Sequence, residues 1–300
     1  MENVNDKKKT NIAIFLAIFA NVIWGFGNCF LRLAYVYADT VVTLAYRFFV
    51  AFVLLNLWFL FGKEKISLKG KNIKVLLLYV LIIPINFFLE SYGIYLTNAA
   101  FSGVIVAISP VFAIVFSCIW LKEYPTRKQT LFCFLPIIGV IIITISGKDL
   151  GVASAVGIII LLVYSVSSGA YKVVNRKLSN DFTAFERTYF LIGGCFITYI
   201  PYALIKTNCD FSVLLEPAKH IGFVLSILAL AILNSIVANA LINYSAKYIS
   251  ATKMANFVSI FTLTTALSGI IILGEPFSLS MLIGMILILI GVYVVTKDGK

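Results

Sequence analysis

The sequence predicts an all-α integral membrane protein with ten transmembrane helices, arranged as two inverted five-helix repeats. Three observations carry this. Apolar runs recur from Ile12 almost to the C-terminus, Lys and Arg crowd into alternate breaks between them, and the second half of the chain matches the first in register. Of 300 residues, 61% are hydrophobic and 12% charged, with mean hydropathy +1.01. Soluble domains carry roughly 45–50% apolar and about 25% charged residues.

A bilayer-crossing helix needs about 20 mostly apolar residues. Runs of that kind lie near 11–35, 41–61, 74–97, 99–121, 129–146, 152–173, 183–206, 219–242, 248–273 and 278–296. They do not alternate in polarity as barrel strands would, and in lipid only a helix satisfies its own backbone. The first span follows Lys7, Lys8 and Lys9 but is too long for a signal-peptide core, and it carries Asn21, Asn28 and Arg32. The second places Arg47 two turns in, and the third carries Pro84, Asn86, Glu90 and Tyr92. Pro84, and Pro110 in the fourth span, each remove a helical hydrogen bond. Five scattered cysteines show no metal or disulfide spacing and read as small core residues.

By this reading, seventeen Lys and Arg belong to one set of breaks and the two termini, and three (Lys148, Lys206, Lys219) to the other set. That asymmetry places both termini in the cytoplasm and requires an even number of spans. The net charge of +11 is then a topology signal, and no nucleic-acid partner is expected.

The repeat appears at two offsets. At 152 residues Tyr92 meets Tyr244, Glu123 meets Glu275, and Gly139-Val140 meets Gly291-Val292. At 140 residues Arg32 meets Lys172, Thr43 meets Thr183, and Arg47 meets Arg187. Repeats of 1–148 and 149–300 would each hold five spans, so the second is inverted. Such halves build secondary transporters, with substrate bound between them near the bilayer midplane.

The stretches "NVIWGFGNCFLRLAY", "AYRFFVAF" and "ESYGIYLTNAAFSGVIVAISPVFAIVFSCIWLKEYPTRKQ" resemble an EamA-type member of the drug/metabolite transporter (DMT) superfamily. The second half repeats the end of that pattern in "YSAKYISATKMANFVSIFTLTTALSGIIILGEPFSLSMLIGMILILIGVYVV". It departs by having Thr262 opposite Pro110, and Tyr164-Ser165 opposite Trp24-Gly25. The resemblance implies an EamA/DMT-like ten-helix alternating-access carrier of small metabolites, often an exporter of amino acids or related compounds, with peripheral fifth and tenth helices.

Polar stripes in lipid must face protein or a water-filled cavity. Asn21, Gly25, Asn28 and Arg32 share one face of the first span, and Asn86, Glu90, Gly93 and Thr97 one face of the third. Asn234 and the ladder Ser235, Asn239 and Asn243 mark the eighth, and Lys253, Asn256 and Ser259 the ninth. The expected binding or coupling set is Glu90, Arg32, Arg47, Asn28, Asn86, Trp24, Tyr92, Asn239, Asn243 and Asn256. Lys172, Glu186, Arg187 and Lys253 are the expected inner gate. Glu90 has Ile242 opposite it, so it reads as a single coupling or recognition carboxylate, with a structural charge pair as the competing reading. Glu123, Glu275 and His220 read as helix-end or interfacial residues.

No metal or cofactor is expected. The expected partners are the lipid bilayer of the cell membrane, a small-molecule substrate, protons as coupling ion, and a second copy of the chain. One histidine and no paired carboxylates within a span argue against the alternative of a membrane enzyme, while a channel or scaffold is the other. Orientation is checked with cysteines and an impermeant maleimide added outside intact cells. Asp210→Cys and Asp149→Cys should react, and Ser67→Cys and Lys297→Cys should not. Reaction at Ser67→Cys would overturn the orientation.

Overall fold

The structure is a computed structural model that describes residues 4–62, 64–122, 124, 126–132, 134–135, 138–139, 141–142 and 154–297. The expected boundary between repeats at 148/149, with Glu123 and Cys133, lies outside the described residues. Among these residues every regular element is helical. The first three spans are α1 (Val4–Ala34), α2 (Thr40–Phe61) and α3 (Ile73–Leu96). The fourth is split into α4 (Ala99–Val106) and α5 (Ser109–Trp120), and the fifth begins with α6 (Arg127–Phe132). The sixth and seventh are α7 (Ala155–Leu178) and α8 (Ala184–Lys206), followed by a short α9 (Phe211–Leu215). The eighth joins α10 (Ile221–Ala229), a π-helical segment (Leu230–Ala238) and α11 (Asn239–Ser245). The ninth is split into α12 (Ala251–Asn256) and α13 (Val258–Leu273), and α14 (Leu279–Lys297) is the tenth.

Six of these spans are long and apolar enough to cross a bilayer as single helices. Local sequence sets their ends. Asp39 caps α2 by accepting from the amides of Val41 and Val42 at 2.7 and 3.1 Å, and Ser154 caps α7 through Gly157 at 2.9 Å. Thr183 and Glu186 form a reciprocal capping box at the start of α8. Gly274, at φ 66°, ends α13 in the left-handed region that glycine enters without strain. The outer surface is hydrocarbon and aromatic, as in Trp58, Leu60, Phe61, Ile197 and Ile205, a surface matched to lipid rather than water.

The packing keeps its form when the two halves are exchanged. The third span lies on the sixth, and the first lies on the eighth; the first packs on α13, and the sixth on α5. The second–seventh, fourth–ninth and fifth–tenth pairs each map onto themselves. That is the relation two inverted five-helix repeats must show.

Loops also sort by end. Asp39 meets Lys206 at 3.1 Å at one end, where the Tyr46 hydroxyl donates to the Leu214 carbonyl. At the other, Lys71 meets Glu186 at 2.6 Å and Arg176 donates to the carbonyls of Ala246 and Lys247. The structure breaks the fourth and ninth spans, which the sequence read as continuous. Pro110 lacks the amide that would extend the ladder, and the Thr262 hydroxyl, its counterpart, donates to the carbonyl of Gly103 at 2.8 Å. Pro84 leaves α3 unbroken, while the π segment distorts the corresponding stretch of the eighth span.

Glycine sets the close approach of α7 to α5. A Cβ at Gly169 would lie 2.7–2.9 Å from Phe112 and Ala113, partly against backbone that cannot yield. At Gly193 the nearest atom, the edge of the Phe52 ring, is 3.5 Å away. Gly169→Val should therefore lower the melting temperature by an amount equivalent to about 1–3 kcal/mol, and Gly193→Ala should not. Equal melting temperatures would contradict the close α7–α5 packing.

Candidate functional site

A cavity lined by both polar and apolar side chains lies between the two halves, about midway along their helices. Asn21, Trp24, Asn28 and Leu31 line it from α1, Arg47 from α2, and Ile83, Asn86, Phe87 and Glu90 from α3. Val106 contributes from α4, and Tyr164, Ser168, Tyr171 and Lys172 from α7. Asn234, Asn239, Val258 and Phe261 close it from the eighth and ninth spans. The repeat register predicts much of this wall. Trp24, Asn28 and Leu31 fall opposite Tyr164, Ser168 and Tyr171 at the 140 offset, and Val106 opposite Val258 at the 152 offset. Each half presents the same helix face to a shared space.

Three charges enter that space. Arg47 is buried; its Nε donates to the Ser235 hydroxyl at 2.8 Å, and its guanidinium lies 4.8 Å from the Phe87 ring centre. The aromatic face and the hydroxyl fix a cation that lipid would reject. The Lys172 ammonium donates to the hydroxyls of Ser168 at 2.8 Å and Ser109 at 3.2 Å. Glu90 faces the Tyr164 hydroxyl and feels the charges of both Arg47 and Lys172. Among the described residues, it makes no ion pair within 4.0 Å with either cation. The cavity therefore holds two basic groups and one carboxyl, and the carboxyl lies near both without closing into a direct pair with either.

Of the expected binding set, Glu90, Arg47, Asn28, Asn86, Trp24 and Asn239 line the cavity. Arg32 does not meet Glu90. It lies one turn beyond Asn28, donates to the Ile94 carbonyl at 3.4 Å and approaches Glu275 at 4.0 Å. Glu275 in turn accepts from the Ala99 amide at 2.9 Å, so this cluster joins the first and fourth spans, at one end of the bundle, to the turn after the ninth. Tyr92 faces a separate crevice at the same end, with Asp39, Phe88, Tyr95, Tyr202 and Lys206. Asn243 turns from the cavity to the Thr188 hydroxyl at 2.8 Å. The side chain of Asn256 lies outside the described residues.

The expected inner gate also separates. Lys172 belongs to the cavity, because its helix face is the one that carries Tyr164 and Ser168. Glu186 is a brace: besides capping α8 it accepts from the Ser67 amide at 2.9 Å and from Lys71. Arg187 is fully buried and ties three helices, donating to the side chain and carbonyl of Asn175 at 2.7 and 3.1 Å and to the Asn243 carbonyl. Lys253 sits half-buried on α12, its amide bonded to the Ser250 hydroxyl at 3.3 Å.

The family profile that matches is the EamA-like transporter family, over residues 11–145 and 155–297. A Bacillus subtilis (strain 168) protein named uncharacterized transporter YcxC is 32% identical, over 95% of this chain and 93% of its own. An uncharacterized transporter of Archaeoglobus fulgidus is 22% identical over 91% of this chain and 95% of its own. A crystal structure with TM-score 0.67 and 17% identity covers 97% of both chains and shows a shared fold.

Arg187 and Lys172 should respond oppositely to removal of charge. Arg187→Met strands carbonyls that each cost about 1–3 kcal/mol unpaired, so the melting temperature should fall steeply. Lys172→Met removes a cation that lacks a direct carboxylate partner, so it should leave stability unchanged or raise it. The reverse order in a thermal melt would contradict these assignments.

Proposed function

The chain belongs to the EamA-like transporter family, and on that premise we propose that it is a secondary-active carrier that exports a small carboxylated metabolite, an amino acid above all, by alternating access. It is a multi-pass membrane transporter. The observation that supports the finer reading is the cavity lined by both halves, with Arg47, Lys172 and Glu90 held apart inside it. With all three ionised, the wall carries one net positive charge in surroundings of low dielectric. A carboxylate entering between Arg47 and Lys172 offsets one of the two cations and forms charge-assisted hydrogen bonds. The α-ammonium of an amino acid has the Glu90 carboxylate to meet. Trp24, Phe87, Tyr164 and Phe261 supply apolar wall for the rest of the cargo.

Alternating access needs each end to open in turn while the other stays shut. The outer cluster of Arg32, Glu275 and Ala99 and the inner one of Lys71, Ser67 and Glu186 join different elements at opposite ends, and each would part in one half of the cycle. The broken fourth and ninth spans supply joints at cavity depth. In this reading both termini are cytoplasmic and the cell membrane is the site of action. A gradient drives the cycle, with Glu90 as the proton-carrying group; its contact with Tyr164 and its separation from the cations let its neighbours change as the halves rock.

This assigns Glu90 a coupling role that a binding assay alone would not detect. Glu90→Gln, whose amide oxygen can still accept from the α-ammonium, should fold, bind amino acid more weakly and still exchange it across proteoliposomes, yet lose accumulation driven by an imposed pH gradient. Gradient-driven accumulation at the wild-type level by a well-folded Gln variant would reduce Glu90 to a structural residue.

A further inference from the structure

The third span presents two faces with different surroundings. Asn86 and Glu90 line the central cavity. Phe88 and Tyr92 each stand two residues from Glu90, about half a turn of helix away, and face the opposite side. Tyr95 continues their stripe toward the end of α3. Leu81 and Ile85 continue it back toward mid-span, 66% and 57% exposed. Lipid covers that stripe, so what gathers there is separate from the cargo cavity.

On that side the start of α2, the last turns of α3 and the end of α8 enclose a crevice of about 370 Å³. Its wall is aromatic: Phe88 stacks on Tyr92 at 5.5 Å, Tyr92 on Tyr95 at 6.2 Å, and Tyr202 of α8 meets Phe88 at 6.4 Å. Among the described residues that line it, Asp39 and Lys206 carry charge. Their side chains lie 3.1 Å apart and stay 42% and 43% exposed. Asp39 uses one oxygen, Oδ1, both for Lys206 and for capping α2 through Val41 and Val42. An exposed ion pair holds weakly, so a ligand carrying both charges can part it. Tyrosines alone would mark only the membrane boundary; an enclosed space with a separable ion pair makes a site.

We propose that this crevice binds the head group of a phospholipid bearing a primary ammonium, with the phosphate on Lys206 and the ammonium on Asp39 and the tyrosine rings. One cation and one carboxylate side by side complement a zwitterion. An anionic head group without an amine would bring its phosphate up to Asp39 with nothing to offset that carboxylate. A quaternary ammonium could lie on the rings but has no N–H to donate to Asp39. The acyl chains have the exposed stripe of Leu81 and Ile85 to follow along α3. The site is independent of what the central cavity carries.

The test is native mass spectrometry of the purified full chain, titrated with phosphatidylethanolamine, phosphatidylcholine or phosphatidylglycerol of identical acyl chains. Phosphatidylethanolamine should bind at a concentration at least about tenfold lower than either of the others, the factor lost with one charge-assisted hydrogen bond. Lys206→Ala and Tyr202→Leu should each weaken that binding severalfold. Asp39→Asn, which keeps the helix cap, should narrow the preference over phosphatidylcholine. Lys177→Ala, at the end of α7 on the opposite side of the bilayer, should change nothing. Phosphatidylcholine or phosphatidylglycerol matching phosphatidylethanolamine would overturn the proposal, as would binding that survives both Lys206→Ala and Tyr202→Leu unchanged. Should a variant fail to fold, the wild-type series still decides.

Discussion

Two cations and a carboxylate must be kept out of lipid at the middle of a helical bundle, and the rest of the structure answers that requirement. Arg47, Lys172 and Glu90 each stand on a different spanning helix, where an isolated charge would be strongly unfavourable. None is neutralised by direct pairing. Arg47 is held by Phe87 and the Ser235 hydroxyl, Lys172 by Ser109 and Ser168, and Glu90 by Tyr164 and the field of the other two. Only a cavity sealed by both halves of the chain can keep such a set together, and the inverted packing supplies that seal. The same separation leaves room for a ligand of complementary charge.

The fold is symmetric but its chemistry is not. Arg47 and Arg187 occupy matching positions, yet one faces the cavity and the other ties the backbone of the sixth, seventh and eighth spans. Arg32 and Lys172 also correspond, and here it is the second-half residue that enters the cavity while Arg32 reaches Glu275. Glu90 has the apolar Ile242 as its counterpart. Each half thus contributes one cation to the site and spends another elsewhere, and the carboxylate comes from the first half alone. Two matching halves thus carry different chemistry.

The span count, the alternate loops and the repeat were legible in the sequence because lipid enforces long apolar runs and the cytoplasmic side collects cations. Cavity residues on regular helices followed from helical spacing, as with Trp24, Asn28, Asn86 and Glu90. Misplacements came where one more turn of helix changes what a long side chain reaches. Arg32 shares the face of Asn28 but lies past the end of the cavity, and Tyr92 is turned into a separate crevice. Tyr164, Ser168 and Tyr171 could have been found by carrying Trp24, Asn28 and Leu31 across the 140-residue offset. The brace made by Glu186 with Ser67 and Lys71 depends on a loop folding back, which helical periodicity does not encode. Nor does it encode the π segment that carries Asn234 and Ser235.

The central claim is that this positively charged cavity exists to receive a carboxylate. Its most direct measurement is binding of one amino acid and of its methyl ester to the same purified protein, by calorimetry at neutral pH and fixed salt. Esterification keeps the amino group and side chain, removes the negative charge and adds one methyl group. The account predicts that the free acid binds and that the ester loses at least about a hundredfold in affinity, within the range of losing a charge-assisted contact. Equal or tighter binding of the ester would contradict it, because the cavity would then be recognising the ammonium at Glu90 and not the carboxylate between Arg47 and Lys172.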